Sequence, residues 1–272
     1  MPVLETRDSS LWYEQHGSGP DLVFVSGGGG LGESWKYYQV PFFAGEYRCT
    51  IFDNRGVGGT KCRVEPPWYV ADMTRDLAEL IEGVCRPPVF VVGLSMGGFI
   101  VTDLALSRPD LVRVAIAMGT AAAGHEGWLG DYMRAEIDLR RSGGRLHGLF
   151  AAIHYASQLV PARVLGDPAG WAEMRERLMS PSFIEENEIS LIPQWQACVD
   201  FDVRERLPSM SVPFHVFVFE EDVQAPPQYG EEAARLSGGT LHRFAGMGHL
   251  SCKGHGHREV NQAIQEILRS QA

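Results

Sequence analysis

Residues 89–94 read VFVVGL, and the chain contains several more strand-like segments, most of them continuous apolar runs: 22–26 (LVFVS), 49–53 (CTIFD), 112–118 and, much later, 214–219 (FHVFVF) and 240–244. A strand with one wet face alternates apolar and polar residues. A run that is apolar at nearly every position needs cover on both faces, which in practice means a parallel sheet with helices above and below it. The segments between the runs supply those helices. Residues 69–84 place Met73, Leu77, Leu80, Ile81 and Val84 on one helical stripe, with Asp72, Asp76 and Glu79 at the intervening positions. Residues 96–107 form a second helical segment, stopped by Arg108-Pro109. Buried strands alternating with helices predict an α/β fold with right-handed crossovers.

A further strand is expected at 11–14 and a closing helix at 258–270. Between about 121 and 206 the pattern changes to amphipathic helical segments (129–141, 146–158, 171–179 and 183–198) with no convincing strand. The expectation is one α/β core, residues 1–120 and 207–272, with a helical excursion over 121–206 inserted after the sixth strand.

Composition narrows the function classes. With 24 basic and 34 acidic residues among 272, the net charge is −10, which repels nucleic acid and anionic membranes. Cys49, Cys62, Cys85, Cys198 and Cys252 form no C-x-x-C pair, and their odd number and wide spacing suit a reducing compartment. Glu5, Arg7 and Asp8 stand where a signal peptide would be apolar, and 89–101, broken by glycines, is too short to cross a bilayer. A cytoplasmic protein is expected, a monomer or homodimer, acting on a small-molecule acyl substrate with no nucleic-acid or membrane partner.

The chemistry concentrates in Gly93-Leu94-Ser95-Met96-Gly97-Gly98. A serine flanked by glycines two residues to either side, between a buried strand and a helix, matches a nucleophile elbow, a strained turn that projects Oγ from the carboxyl end of the sheet. The free N–H groups of the helix that follows face the place where an oxyanion would form. A serine hydroxyl needs a base. His249, in the glycine-flanked loop after the last strand, follows serine and acid in chain order and is the candidate. The acid that orients it comes from Glu220-Glu221-Asp222 after the run 214–219. Asp222 is favoured because it lies furthest into the loop, with Glu221 in reserve. The oxyanion donors are expected at the amides of Met96 and, in the loop Gly27-Gly28-Gly29-Gly30, of Gly28, with Gly29 next. A phosphate-binding loop fits poorly, because no G-x-x-x-x-G-K-[ST] is present.

Together these segments resemble the α/β-hydrolase fold superfamily, in the serine-nucleophile branch that carries a lid after the sixth core strand. Ser26-Gly27-Gly28 stands for the family's His-Gly-x oxyanion loop and Asp53-Asn54-Arg55-Gly56-Val57-Gly58 for its D-x-R-G-x-G loop. Gly93-Leu94-Ser95-Met96-Gly97, Asp222 with Pro226, and Gly248-His249 complete the set. The resemblance implies a mostly parallel, eight-stranded sheet flanked by helices, a lid at 121–206 and a cofactor-independent enzyme. Two departures stand out. Ser26 replaces a histidine that is generally structural, and Gly254-His255-Gly256-His257 replaces the usual acid and proline before the last helix. Those two histidines without a third ligand do not make a metal site. Relatives that open epoxides or displace halide carry aspartate at the elbow, so Ser95 implies acyl chemistry and a structural role for Asp53 and Arg55.

The lid aromatics Phe150, Tyr155, Trp171, Phe183 and Trp195 are candidate pocket residues, and Gly29, Phe150, Tyr155 and Trp195 are expected to bind substrate. Arg140, Arg141 and Arg145 read as solvated helix surface, leaving no evident site for a substrate carboxylate. The function expected is hydrolysis of an ester or lactone of a small, largely apolar compound. A carbon–carbon bond hydrolase or a non-hydrolytic cyclase or lyase using the same residues is the alternative, and a ligand-binding receptor on the same fold is a third possibility.

Overall fold

The computed structural model describes residues 2–179 and 188–271. Nine strands form one sheet: β1 (Val3–Glu5), β2 (Ser9–His16), β3 (Asp21–Val25), β4 (Arg48–Phe52), β5 (Lys61–Cys62), β6 (Val89–Leu94), β7 (Val112–Met118), β8 (Phe214–Phe219) and β9 (Thr240–Phe244). Eight of them run in the order β1-β2-β4-β3-β6-β7-β8-β9, and β5 pairs only with β2. Pairing is parallel from β4 through β9 and antiparallel around β2. The very short β1 and β5 lie beside β2 and lack the apolar run that marks β3, β4, β6, β7 and β8.

Period-two alternation explains the continuous apolar runs. Val23, Val25, Val91, Ala115, Ala117, Val216 and Val218 belong to one buried cluster, while Leu22, Phe24, Phe90, Val92, Ile116, Phe217 and Phe219 belong to a second. The first face is covered by α2 (Val70–Val84) and α3 (Met96–Ser107), together with Ala233 and Ala234 of a helix absent from the sequence-based expectation, Pro227–Ser237. The second is covered by α1 (Gln39–Phe43) and the closing helix His257–Ser270. The helix Pro227–Ser237 does carry a local signature, proline in its first turn and left-handed Gly238 beyond its end. Asp76, expected at an outward position of α2, is 2% exposed, and its Oδ2 accepts from Arg55 Nε at 2.7 Å.

Between β7 and β8 the chain leaves the sheet for α4 (Gly127–Arg141), α5 (Gly148–Leu159), α6 (Ala162–Leu165), α7 (Pro168–Leu178) and α8 (Glu188–Val199), closing with a bridge between Ala123 and Asp202. This is the sixth strand only if two-residue β5 is left uncounted. The two remaining helices are therefore α9 (Pro227–Ser237) and α10 (His257–Ser270). Side chains of α4 and α8 join the first core, whereas α5 and α7 enclose a small cluster of their own around Ala152, Ala156, Met174 and Leu178. The first part of the helix expected at 183–198, including Phe183, lies outside the described residues. Among the described residues no helix is long and apolar enough to cross a membrane.

At the β8–β9 edge, His215 Nδ1 and His242 Nε2 lie 3.0 Å apart. Burial, followed by the neighbouring ring, pushes His215 down to about 4, and burial lowers His242. The folded protein therefore binds fewer protons than the unfolded chain between about pH 4 and 6.5, and stability falls as pH drops through that window. Replacing His215 with Val should flatten this acid branch. Urea unfolding from pH 7 to pH 4 checks it, and an equally steep loss in the variant would deny the pair this role.

Candidate active site

Strand order reverses where β3 sits between β4 and β6, and a crevice opens there beyond the carboxyl ends of the strands. The loop after β3 and the turn after β6 meet at this point, because Val25 and Gly93 are in register. Ser95 occupies that turn with φ 57° and ψ −121°, and it is the sole non-glycine residue with positive φ among those described. Both flanking glycines are required by space. A methyl group on Gly93 would overlap the Gly97 carbonyl, and one on Gly97 would overlap the Val25 carbonyl.

His249, which lines the same cavity as Ser95, is held by Asp222. Asp222 follows β8, is 4% exposed, and takes the Ala225 amide on Oδ1 at 2.7 Å. Its Oδ2 lies 2.7 Å from Nδ1 of His249, which is 2% exposed. That contact fixes the ring so that Nε2 is the nitrogen left to act as base. Glu220 and Glu221 are both exposed. Gly119, at the end of β7, backs onto the pair: a Cβ there would sit 3.2 Å from both Asp222 Oδ2 and His249 Nδ1. Ser95 Oγ makes no hydrogen bond to His249 or to any other described group. Catalytic hydrogen bonds of this type commonly tighten only once substrate is in place.

Ser95, Met96, Gly28, Gly29 and His249 line one cavity of about 590 Å³. Its wall also includes the expected Tyr155 and Trp195, the latter with its indole nitrogen against Gly28. Phe150 is a correction. It is 66% exposed on the outer side of α5 and does not reach the wall, because the inward side of that helix carries Ala151, Ala152 and Ala156. Arg140 is a second correction. Its side chain is only 4% exposed, pairs with Glu136, donates to the Tyr155 hydroxyl at 2.6 Å and lies over the Trp195 ring, so it is part of the cavity wall. Arg141 and Arg145 are exposed as expected.

The glycine loop is held in part by Gln194 and Trp35, which sequence patterns did not single out. Gln194 of α8, fully buried, accepts from the Gly29 amide at 2.8 Å and donates to the Arg55 carbonyl at 2.8 Å. The Gly29 amide is thereby engaged, which leaves Gly28 as the loop's candidate oxyanion donor. Ser26, where the resemblance implies histidine, accepts from Trp35 Nε1 at 2.9 Å, while its carbonyl takes Asn54 Nδ2 at 3.0 Å. Asp53 collects the amides of Gly32 and Gly59 at 2.7 and 2.8 Å; burial pushes its carboxyl up and those two amides pull it back. The Arg55–Asp76 pair is buried on both sides, so removing one partner would cost about 3–5 kcal/mol. Among the described residues no group of three His, Cys, Asp or Glu could hold a metal ion.

A family model described as "Alpha/beta hydrolase family" matches residues 22–263. The chain is 33% identical over 254 residues to the "Putative non-heme bromoperoxidase BpoC" of Mycobacterium tuberculosis, covering 89% of this chain and 91% of the relative. The crystal structure of BpoC superposes with a TM-score of 0.88 at 30% identity, over 97% of both chains. The "Putative carbamate hydrolase RutD" of Azorhizobium caulinodans is 26% identical, over 83% of this chain and 82% of its own length.

Backbone strain at Ser95 is testable apart from activity. Glycine tolerates its dihedral angles without steric cost, so Ser95→Gly should raise the unfolding free energy by about 1 kcal/mol. Urea unfolding measures it; an unchanged or lower value would mean the turn stores no strain.

Proposed function

The chain belongs to the alpha/beta hydrolase family, and on that premise we propose that it is a serine hydrolase cleaving a carboxylic ester or lactone of a small, largely apolar substrate. The observation that carries this reading is the buried His249–Asp222 contact of 2.7 Å facing the same cavity as the strained Ser95. A histidine ordered by a carboxylate, in one cavity with a hydroxyl on a sharp turn, supplies the groups that acyl transfer needs.

In the proposed cycle, His249 Nε2 takes the Ser95 proton as Oγ attacks the substrate carbonyl. Asp222 holds the imidazolium that forms. The Met96 and Gly28 amides receive the oxyanion, and His249 then returns the proton to the leaving alkoxide, giving an acyl-enzyme. Water, deprotonated by the same histidine, releases the acid and restores Ser95. Each oxyanion donor of this kind contributes on the order of 10²–10³ in kcat. The wall suits an acyl group with apolar bulk, since Leu129, Tyr132, Met133, Leu159 and Trp195 face the cavity. The helical segment between β7 and β8 acts as its lid in this reading.

A fluorophosphonate probe should label Ser95, and p-nitrophenyl esters should turn over. Ser95→Ala should abolish both while keeping a melting temperature near that of the wild type. Labelling without ester turnover would favour the carbon–carbon hydrolase or cyclase alternative, and no labelling would favour a binding protein. Gln194→Leu removes the hydrogen bonds from the Gly29 amide and to the Arg55 carbonyl, at about 1–3 kcal/mol for each buried group. It should lower kcat at least tenfold in variants that remain folded; an unchanged kcat would show that Gln194 does not position the oxyanion loop.

A further inference from the structure

Lys253 ends the turn Ser251–Lys253, four residues beyond His249, and is 4% exposed in the wall of the Ser95 cavity. Its Nζ donates to Ser34 Oγ at 2.7 Å and lies 3.7 Å from the centroid of the Trp35 ring. Ser34 donates its own proton to the Leu31 carbonyl at 2.7 Å, so towards the amine it acts purely as an acceptor. An ammonium group has three donors. One goes to Ser34, one faces the indole, and one remains.

No described carboxylate pairs with this amine. Its neighbour Cys252 is a neutral thiol, pushed up to about 12 by burial, and Arg177 adds positive charge while donating to the Lys253 carbonyl. The acids of the cavity wall, Glu33, Glu173 and Glu176, are all exposed at its rim, and the other buried cation, Arg140, already has Glu136. A cation buried this deeply without a counter-ion carries a desolvation penalty that an anionic ligand group would relieve. Burial accordingly pulls the Lys253 amine down to about 7, and an anion seated beside it would hold its proton in place.

We propose that Lys253, positioned by Ser34, forms a subsite for a carboxylate remote from the scissile carbonyl, so that the substrate is a half-ester or a carboxylated lactone. The proposal rests on the serine-hydrolase reading of the same cavity. It names the polar end of a compound whose remainder packs on the apolar wall. Arg177 reinforces the positive field at that end, and the exposed glutamates at the rim are screened by solvent.

The test compares p-nitrophenyl hemiesters of C4–C8 dicarboxylic acids with p-nitrophenyl alkanoates of the same length, using the full chain at pH 7. At least one hemiester should show kcat/KM tenfold or more above its neutral match. Lys253→Met should collapse that ratio towards one, mainly through KM, and Lys253→Arg should retain part of it. A wild-type ratio at or below one for every length overturns the subsite and leaves the hydrolase reading standing. So does a ratio that Lys253→Met leaves unmoved. If Lys253→Met does not fold, the wild-type ratio and Ser34→Ala decide. If Ser95 is labelled but neither series turns over, protection of Ser95 from the probe by methyl hemiesters against neutral methyl esters gives the same comparison. With no turnover and no labelling, the hydrolase reading fails and the subsite proposal falls with it.

Discussion

The close approach of the Ser95 turn to the end of β3 is the constraint on which the other features of the site depend. Gly97 presses so near the Val25 carbonyl that a single methyl group cannot fit between them, and Gly93 is equally confined by Gly97. That contact brings the serine, the first turn of α3 and the glycine loop into one crevice. It also holds Ser95 in a backbone conformation that non-glycine residues rarely adopt, which aims Oγ away from the sheet and into the cavity.

Everything around that contact keeps a glycine-rich loop from collapsing. Four successive glycines have little intrinsic reason to keep one conformation, so neighbouring segments impose it. Trp35 and Asn54 grip Ser26 from two directions, Asp53 gathers the amides of Gly32 and Gly59, and Gln194 reaches across from the helical insert to tie Gly29 to Arg55. The insert therefore does more than line the cavity, because one of its side chains shapes the glycine loop itself. Ser26 fills the place of a histidine with a hydroxyl small enough to leave room for Trp35, and the same indole carries the Lys253 amine on its face. Loop support and the cavity's buried positive charge thus share one aromatic ring.

The charged residues show how far local pattern reading reaches. Asp76 occupies a helical position that looks solvent-facing when α2 is considered alone, yet Arg55 from another loop covers it. Arg140 reads as one of three surface arginines, yet α5 and α8 enclose it with Tyr155 and Trp195. Phe150 errs in the opposite direction, an aromatic that faces outward because the alanines of α5 form its packing side. In each case the helix is present as expected. What differs is which neighbouring segment packs against which of its sides.

The sequence alone determined the parallel sheet, the helices α2 and α3 and the helical character of the insert, and it made Ser95, His249 and the acidic run containing Asp222 the site candidates. Those features are written in periodicity and glycine spacing, which act over a few residues, and in chain order, which is read without any knowledge of contacts. The short strands β1 and β5 left too little pattern to see. Only the tertiary structure decided that Asp222 rather than its neighbours meets His249, that Gln194 clasps the glycine loop, and that Lys253 lies buried beside the cavity with no acid paired to it among the described residues. Such partnerships join residues far apart in the chain, 219 positions for Lys253 and Ser34, and they exist only once the fold has brought distant segments within hydrogen-bonding reach.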